Sequence, residues 1–158
     1  MDDRARVAQL LGREPRGAFD VAVRDPLGDP VVVRNEPFLA DGTPMPTLYY
    51  LVSEELVKAV SRLEAGGGVR RAEAEIDADL ITAAHARYEA ERNTAIDTAY
   101  EGPRPYGGVG GTRTGVKCLH AHVAYSLAGG DDPIGRWALV QLEASAEVAT
   151  GVHPGSGK

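Results

Sequence analysis

Three side chains able to hold a metal ion or attack a substrate stand within five residues of one another: Cys118, His120 and His122, in the string Lys117-Cys-Leu-His-Ala-His122. Thiolate and imidazole are donors that zinc and several other first-row metals accept readily, so the cofactor this spacing suggests is a divalent metal, zinc foremost. Water held by such an ion would serve as a nucleophile. Without metal the cysteine itself could act. A thiol at a helix start, beside Lys117 and a histidine, ionises more readily and becomes a nucleophile or a redox sensor. Cys118 is the only cysteine. A closed cysteine-rich zinc site and an intramolecular disulfide are therefore both excluded, and the usage suits a reducing compartment.

Which of the three act together depends on the backbone. On a helix Cys118 and His122 share a face while His120 points about 200° away; on a strand all three would share one. Ala121, Ala124 and Leu127 favour a helix over residues 116–127, so at most two of the three are expected on one ion, with His120 the outlying member. A third ligand is sought on the long helix upstream, where His85, Tyr88 and Arg92 fall at i, i+3 and i+7 on one face. Asp41 and Asp131 are alternative oxygen donors. The expected metal set is Cys118, His122 and His85, and the catalytic candidates are Cys118, His120, His122 and His85.

A glycine-rich loop, Gly107-Gly-Val-Gly-Gly-Thr-Arg-Thr-Gly115, opens onto this segment. Glycines let backbone N–H groups converge, and a helix start favours an anion. Gly108, Gly110 and Gly111 with Thr112, Arg113, Thr114 and Lys117, joined by Arg92, are the expected cradle for a small anionic, phosphorylated or carboxylate, ligand. It is not a Walker A loop: Val116 stands where the lysine belongs, and no Ser or Thr follows Lys117. A chain-reversing loop is the competing reading. So is an inert buried cysteine for Cys118.

The elements that must position these residues are legible in outline. Residues 3–11 form a short amphipathic helix ending at Gly12. Phe19, Val21 and Val23 alternate with polar or small residues as in a half-buried strand, and residues 26–30 turn the chain into a second strand at 31–34. Residues 47–52 are β-branched and aromatic enough for a third. Ser53 caps a helix that ends at Gly66-Gly-Gly68, and a longer one over 72–96 turns Ile76, Leu80, Ile81 and Ala84 inward. Asp132-Pro133 opens a last helix to about residue 148. The expectation is an α+β fold, a short antiparallel sheet of about three strands packed by four to five helices. It forms a single domain over residues 1–149, with a tail at 150–158.

With 158 residues, 43% hydrophobic and 25% charged, the chain can bury a core unaided. Its net charge of −6 offers no general attraction to nucleic acid or anionic lipid. No nucleic-acid partner is expected, and no membrane insertion, since no apolar run approaches the roughly 20 residues of a spanning helix. The charged N-terminus does not read as a signal peptide, and a cytoplasmic location is expected.

Six strings together resemble the bacterial family catalogued as domain of unknown function 501. They are Asp41-Gly-Thr-Pro-Met-Pro-Thr-Leu-Tyr-Tyr-Leu51, Ser61-Arg-Leu-Glu64, His85-x-x-Tyr88-x-x-x-Arg92, Gly107-x-Val-Gly-Gly111, Val116-Lys-Cys-Leu-His-Ala-His122 and Asp132-Pro-Ile-Gly135. The resemblance covers roughly residues 13 to 140. It implies a mainly actinobacterial distribution and a common site for Cys118, His120, His122, His85 and Arg92. Many relatives carry cysteines ahead of the Gly-x-Pro of the first hairpin, where this chain has Asp25 and Leu27. Neighbouring genes in the family, for enolase, a septum-formation initiator and an exopolyphosphatase, imply a non-catalytic protein partner in division or envelope growth as one alternative. The residues themselves favour a metal-assisted hydrolase or transferase, or a ligand-binding protein, with a metal-free reactive thiol as the other alternative.

Overall fold

Alternation along three short strands decides which face of the sheet meets which helix. The computed structural model describes residues 2–150. Strands β1 (Phe19–Arg24), β2 (Pro30–Asn35) and β3 (Tyr49–Leu51) form an antiparallel sheet in the order β1-β2-β3. Val32 pairs with Leu51, Val33 with Tyr50 and Arg34 with Tyr49. Because side chains alternate across a sheet, Val32, Tyr49 and Leu51 enter the main core. Val33 enters a smaller core on the opposite face, with Val7 of α1 (Asp3–Leu11) and Phe19.

The main core is closed by α2 (Glu54–Ala65), α3 (Gly68–Glu75), α4 (Ala78–Asn93), α5 (Leu119–Leu127) and α6 (Pro133–Thr150). Val60, Leu63, Ile81, Tyr88, Leu119, Val123 and Ile134 interlock there, all buried. The architecture is a single α+β domain. Apart from Thr150, the expected tail at 150–158 lies outside the described residues. No helix among the described residues is long and apolar enough to cross a membrane.

Local chemistry accounts for the helix ends. The Ser53 hydroxyl accepts the Leu56 N–H at the start of α2, and the Asp132 carboxylate accepts the N–H groups of Ile134 and Gly135 at the start of α6. Gly12 ends α1 with φ 75°, a conformation glycine adopts without strain.

Two expected helices are cut shorter. The helix read over 72–96 is broken at Ile76, which is extended, and restarts after Asp77, whose carboxylate accepts the Asp79 N–H at 2.8 Å. An aspartate caps a helix better than it sits inside one. The restart shifts the inward face, so Leu80 is 54% exposed while Ile81 and Ala84 are buried. The helix read over 116–127 begins only at Leu119. Cys118 is its extended N-cap residue, with φ −153° and ψ 154°.

Between α4 and α5 runs an irregular segment with a 3-10 turn at Val109–Gly111. Two buried side chains of α4, His85 and Arg92, hold it, and Tyr88 between them holds the entry to β3. His85 Nδ1 accepts the Val109 N–H at 3.0 Å, and its Nε2–H faces the Gly115 carbonyl at 2.7 Å. The Tyr88 hydroxyl accepts the N–H groups of Leu48 and Tyr49 at 2.6 and 3.0 Å. Burial pushes its phenol pKa up to about 12. Arg92, fully buried, donates to the carbonyls of Pro46, Pro105 and Gly107 and to the Asn93 side chain. The face predicted from the i, i+3, i+7 spacing is therefore a spine that orders loops.

Candidate functional site

The late start of α5 decides the company Cys118 keeps. As an extended cap residue it leaves the helix face of His122 and lies beside His120 and the last turn of α2. Candidate ligand atoms of Glu64, Cys118 and His120 all fall within 4.8 Å of one another. Glu64 Oε2 lies 3.3 Å from His120 Nδ1 and accepts the Leu119 N–H at 2.6 Å. The other ring nitrogen, Nε2, sits 3.2 Å from the Val57 carbonyl and 3.1 Å from the Ser61 hydroxyl. A carbonyl only accepts, so Nε2 carries a hydrogen and Nδ1 turns its lone pair toward a carboxylate and a sulfur. That arrangement requires a cation between them, a proton or a metal ion. A histidine ligand whose second nitrogen donates to a backbone carbonyl is the usual support of a metal site.

Both titrating partners respond to this arrangement. The hydrogen bond with Cys118 raises the His120 pKa against the opposing effect of burial, with Glu64 adding to it. Burial opposes ionisation of the Cys118 thiol, but His120 and the Ala121 N–H outweigh it and hold the pKa below the ordinary thiol value. The Ala121 N–H acts here without closing a capping hydrogen bond.

This group is half-buried and opens onto a cavity of about 380 Å³ whose walls include Thr47, Tyr50, Val57 and Lys117. Lys117 is exposed and makes no ion pair among the described residues.

His122 is elsewhere. It is fully buried, with Nδ1 2.6 Å from Asp132 Oδ2, also fully buried. Its ring meets that of His85 edge-on, with centroids 5.5 Å apart. His122 Nε2 is the one buried side-chain polar atom among the described residues without a hydrogen-bond partner. The expected grouping of Cys118 with His122 and His85 thus divides into two places. Both nitrogens of His85 are engaged by the loop it holds, which leaves it no lone pair for an ion. The alternative oxygen donors join no ligand cluster among the described residues: Asp41 accepts the Thr43 N–H of its own turn, and Asp131 pairs with Arg136 at 2.8 Å. Asp25 likewise accepts the N–H groups of Leu27 and Asp29 in the first hairpin.

The glycine loop does gather donors, but the chain supplies anions for them. Glu73 accepts the Val116 N–H at 2.8 Å and lines the same recess as Gly110, Gly111, Thr112 and Thr114. The Thr112 hydroxyl donates to the Thr114 carbonyl, and Arg113 pairs with Glu89 at 3.1 Å while lying 4.4 Å over the Tyr106 ring. Gly108 is required by close packing, since a Cβ there would meet the His85 backbone at 2.6 Å. Of the cationic side chains predicted for the cradle, Lys117 alone stays unpaired, because Arg92 is spent on carbonyls.

Two residues of this site were not foreseen. Glu64 and Ser61 stand one helical turn apart on α2. They belong to the string Ser61-Arg-Leu-Glu64, but nothing in the sequence links that string to Cys118.

Fold and site together define a small α+β protein with an open Cys/His/Glu cluster at a helix start. Residues 21–140 match the family described as Protein of unknown function (DUF501), and the chain belongs to it. No curated protein and no solved structure matches the chain.

Proposed function

We propose that this protein binds a divalent metal, zinc foremost, through Cys118, His120 and Glu64, and uses it for hydrolysis or group transfer on an anionic substrate held near Lys117. The observation that carries the reading is the convergence of His120 Nδ1, a carboxylate oxygen and a sulfur, with Nε2 tied back to the Val57 carbonyl. With the imidazole neutral, the thiolate and carboxylate leave a local charge of −2 that a dication neutralises. Tetrahedral zinc with bonds of about 2.0–2.3 Å needs ligand atoms about 3.3–3.8 Å apart, so small side-chain rotations would close the set. Three protein ligands leave a fourth position toward the cavity, as catalytic rather than structural zinc sites do. A water held there would be acidified to a nucleophile at neutral pH.

Zinc titration of the purified protein, read by equilibrium dialysis and elemental analysis, tests this. One equivalent should bind to the wild type and none to His120→Ala or Cys118→Ser. A folded wild type that takes up no zinc overturns it.

The lowered thiol pKa favours a second reading, a metal-free nucleophilic or redox-sensing cysteine paired with His120. Its measure is the pH profile of Cys118 alkylation in chelator, which should reach half its maximal rate below the roughly 8.5 of a free cysteine. A profile centred at the free-cysteine value counts against it.

A further inference from the structure

The cavity beside Cys118 has a neighbour on the far side of Tyr50. A second cavity, of about 230 Å³, lies between α1 and the sheet face that α1 covers, and Thr47 and Tyr50 line both. The reason is strand alternation at a sheet edge. Tyr49 and Leu51 enter the main core, so Tyr50 must turn to the α1 side, where its half-exposed ring separates the two hollows. The inner wall of the second hollow is apolar, built from Val7, Leu11, Phe19 and Val33. Arg13 and Arg16 line it as well, both exposed. Neither forms an ion pair with a carboxylate among the described residues. Arg13 donates only a 3.4 Å hydrogen bond to the Glu14 carbonyl, and Arg16 acts on Asp41 through charge alone.

The polarity therefore runs in three zones: a cation and reactive groups at Lys117, Cys118 and His120, an apolar trough past Thr47 and Tyr50, and a second pair of cations. We infer that the ligand of the Cys118 site is an elongated amphipathic anion. Its reacting group lies at Cys118 and His120, its apolar chain or ring crosses Tyr50, and its carboxylate or phosphate ends at Arg13 and Arg16. This rests on the reading of Cys118 and His120 as a ligand site. A small inorganic anion would leave the apolar wall unmatched, and a neutral lipid would leave the two arginines unmatched. Together the hollows fall within the roughly 300–1,000 Å³ of ligand sites.

The lone cysteine makes the test clean. In chelator, the alkylation rate of Cys118 is measured by mass spectrometry with 6-maleimidohexanoate, which joins a thiol-reactive ring to a short apolar chain and a carboxylate, and with N-ethylmaleimide. Each rate is divided by that of the urea-unfolded chain. The normalised ratio should be about tenfold in favour of the long reagent, the effect of one charge-assisted hydrogen bond, and should fall to about one in Arg13→Ala/Arg16→Ala. Octanoate or octyl phosphate should slow the reaction of the long reagent, and the more effective of the two identifies the preferred headgroup. A wild-type ratio near one, a ratio indifferent to the arginines, protection by neither competitor, or a native thiol inert to both reagents overturns the inference. The assay contains no metal. A failed zinc titration with a positive tail effect therefore removes the metal and leaves the groove, and the reverse result removes only the groove.

Discussion

His122 and His120 stand two residues apart on α5 and live in opposite conditions. His122 is sealed beside Asp132 and His85, and its interactions tie α4, α5 and the start of α6 together. His120 lies at the open N-terminus of the same helix, faces Glu64 and Cys118, and borders a cavity. The same side chain is a structural tie in one place and a candidate ligand in the other. What separates them is access, since a fully enclosed imidazole has no route to a substrate. The arginines repeat the lesson. Arg92 is buried among carbonyls, while Arg13 and Arg16 are exposed and form no ion pair among the described residues.

The largest expected effect breaks the sealed side. Removing Asp132 strips His122 of its partner and α6 of its cap, so Asp132→Ala should cost about 3–5 kcal/mol in denaturant unfolding. A loss below about 1 kcal/mol would mean that the pair ties nothing together. On the open side the signs reverse. Cys118→Ser should abolish zinc uptake yet shift the metal-free unfolding free energy by less than about 1 kcal/mol, because the thiol is only half-buried. A large destabilisation there would make Cys118 a core residue and the comparison void.

A smaller effect concerns pH. Burial lowers the His85 pKa below its ordinary 6.5. The unfolded chain then binds a proton more readily than the folded one, so this contribution is complete above pH 6.5 and is lost as pH falls through the folded value. Stability measured between neutral and mildly acid pH should drop, and His85→Gln should flatten that part of the profile. An unchanged slope in the variant would assign the titration to another group. The smallest effect is expected of Lys117→Ala. It should leave zinc stoichiometry intact and weaken protection of Cys118 by inorganic phosphate only a few-fold, since an exposed cation contributes little in water.

Much of the scaffold was legible. The strand alternation from Phe19 to Val23, the Ser53 cap and the Asp132-Pro133 helix start are local signals, and each is met where it was read. Asp77 misled because a cap signal inside a helical pattern is ambiguous until packing chooses. The glycine loop and the helix start it feeds show a second kind of limit. Converging N–H groups do attract carboxylates, but Glu64 and Glu73 reach them from helices more than 40 residues away. No local pattern reports a partner at that separation.

The opening string Lys117-Cys-Leu-His-Ala-His122 marks the limit. Sequence by itself determined that a thiol and two imidazoles sit close along the chain, that no intramolecular disulfide can form, and that a helix carries most of the string. Only the tertiary structure decided that the helix begins one residue after Cys118. That single-residue offset gives the cysteine an extended backbone, turns it toward His120 and Glu64, and leaves His122 to Asp132 and His85. The physical reason is the contest for the Leu119 N–H. Once Glu64 accepts it, the first turn of α5 starts there and the helical period no longer relates Cys118 to His122.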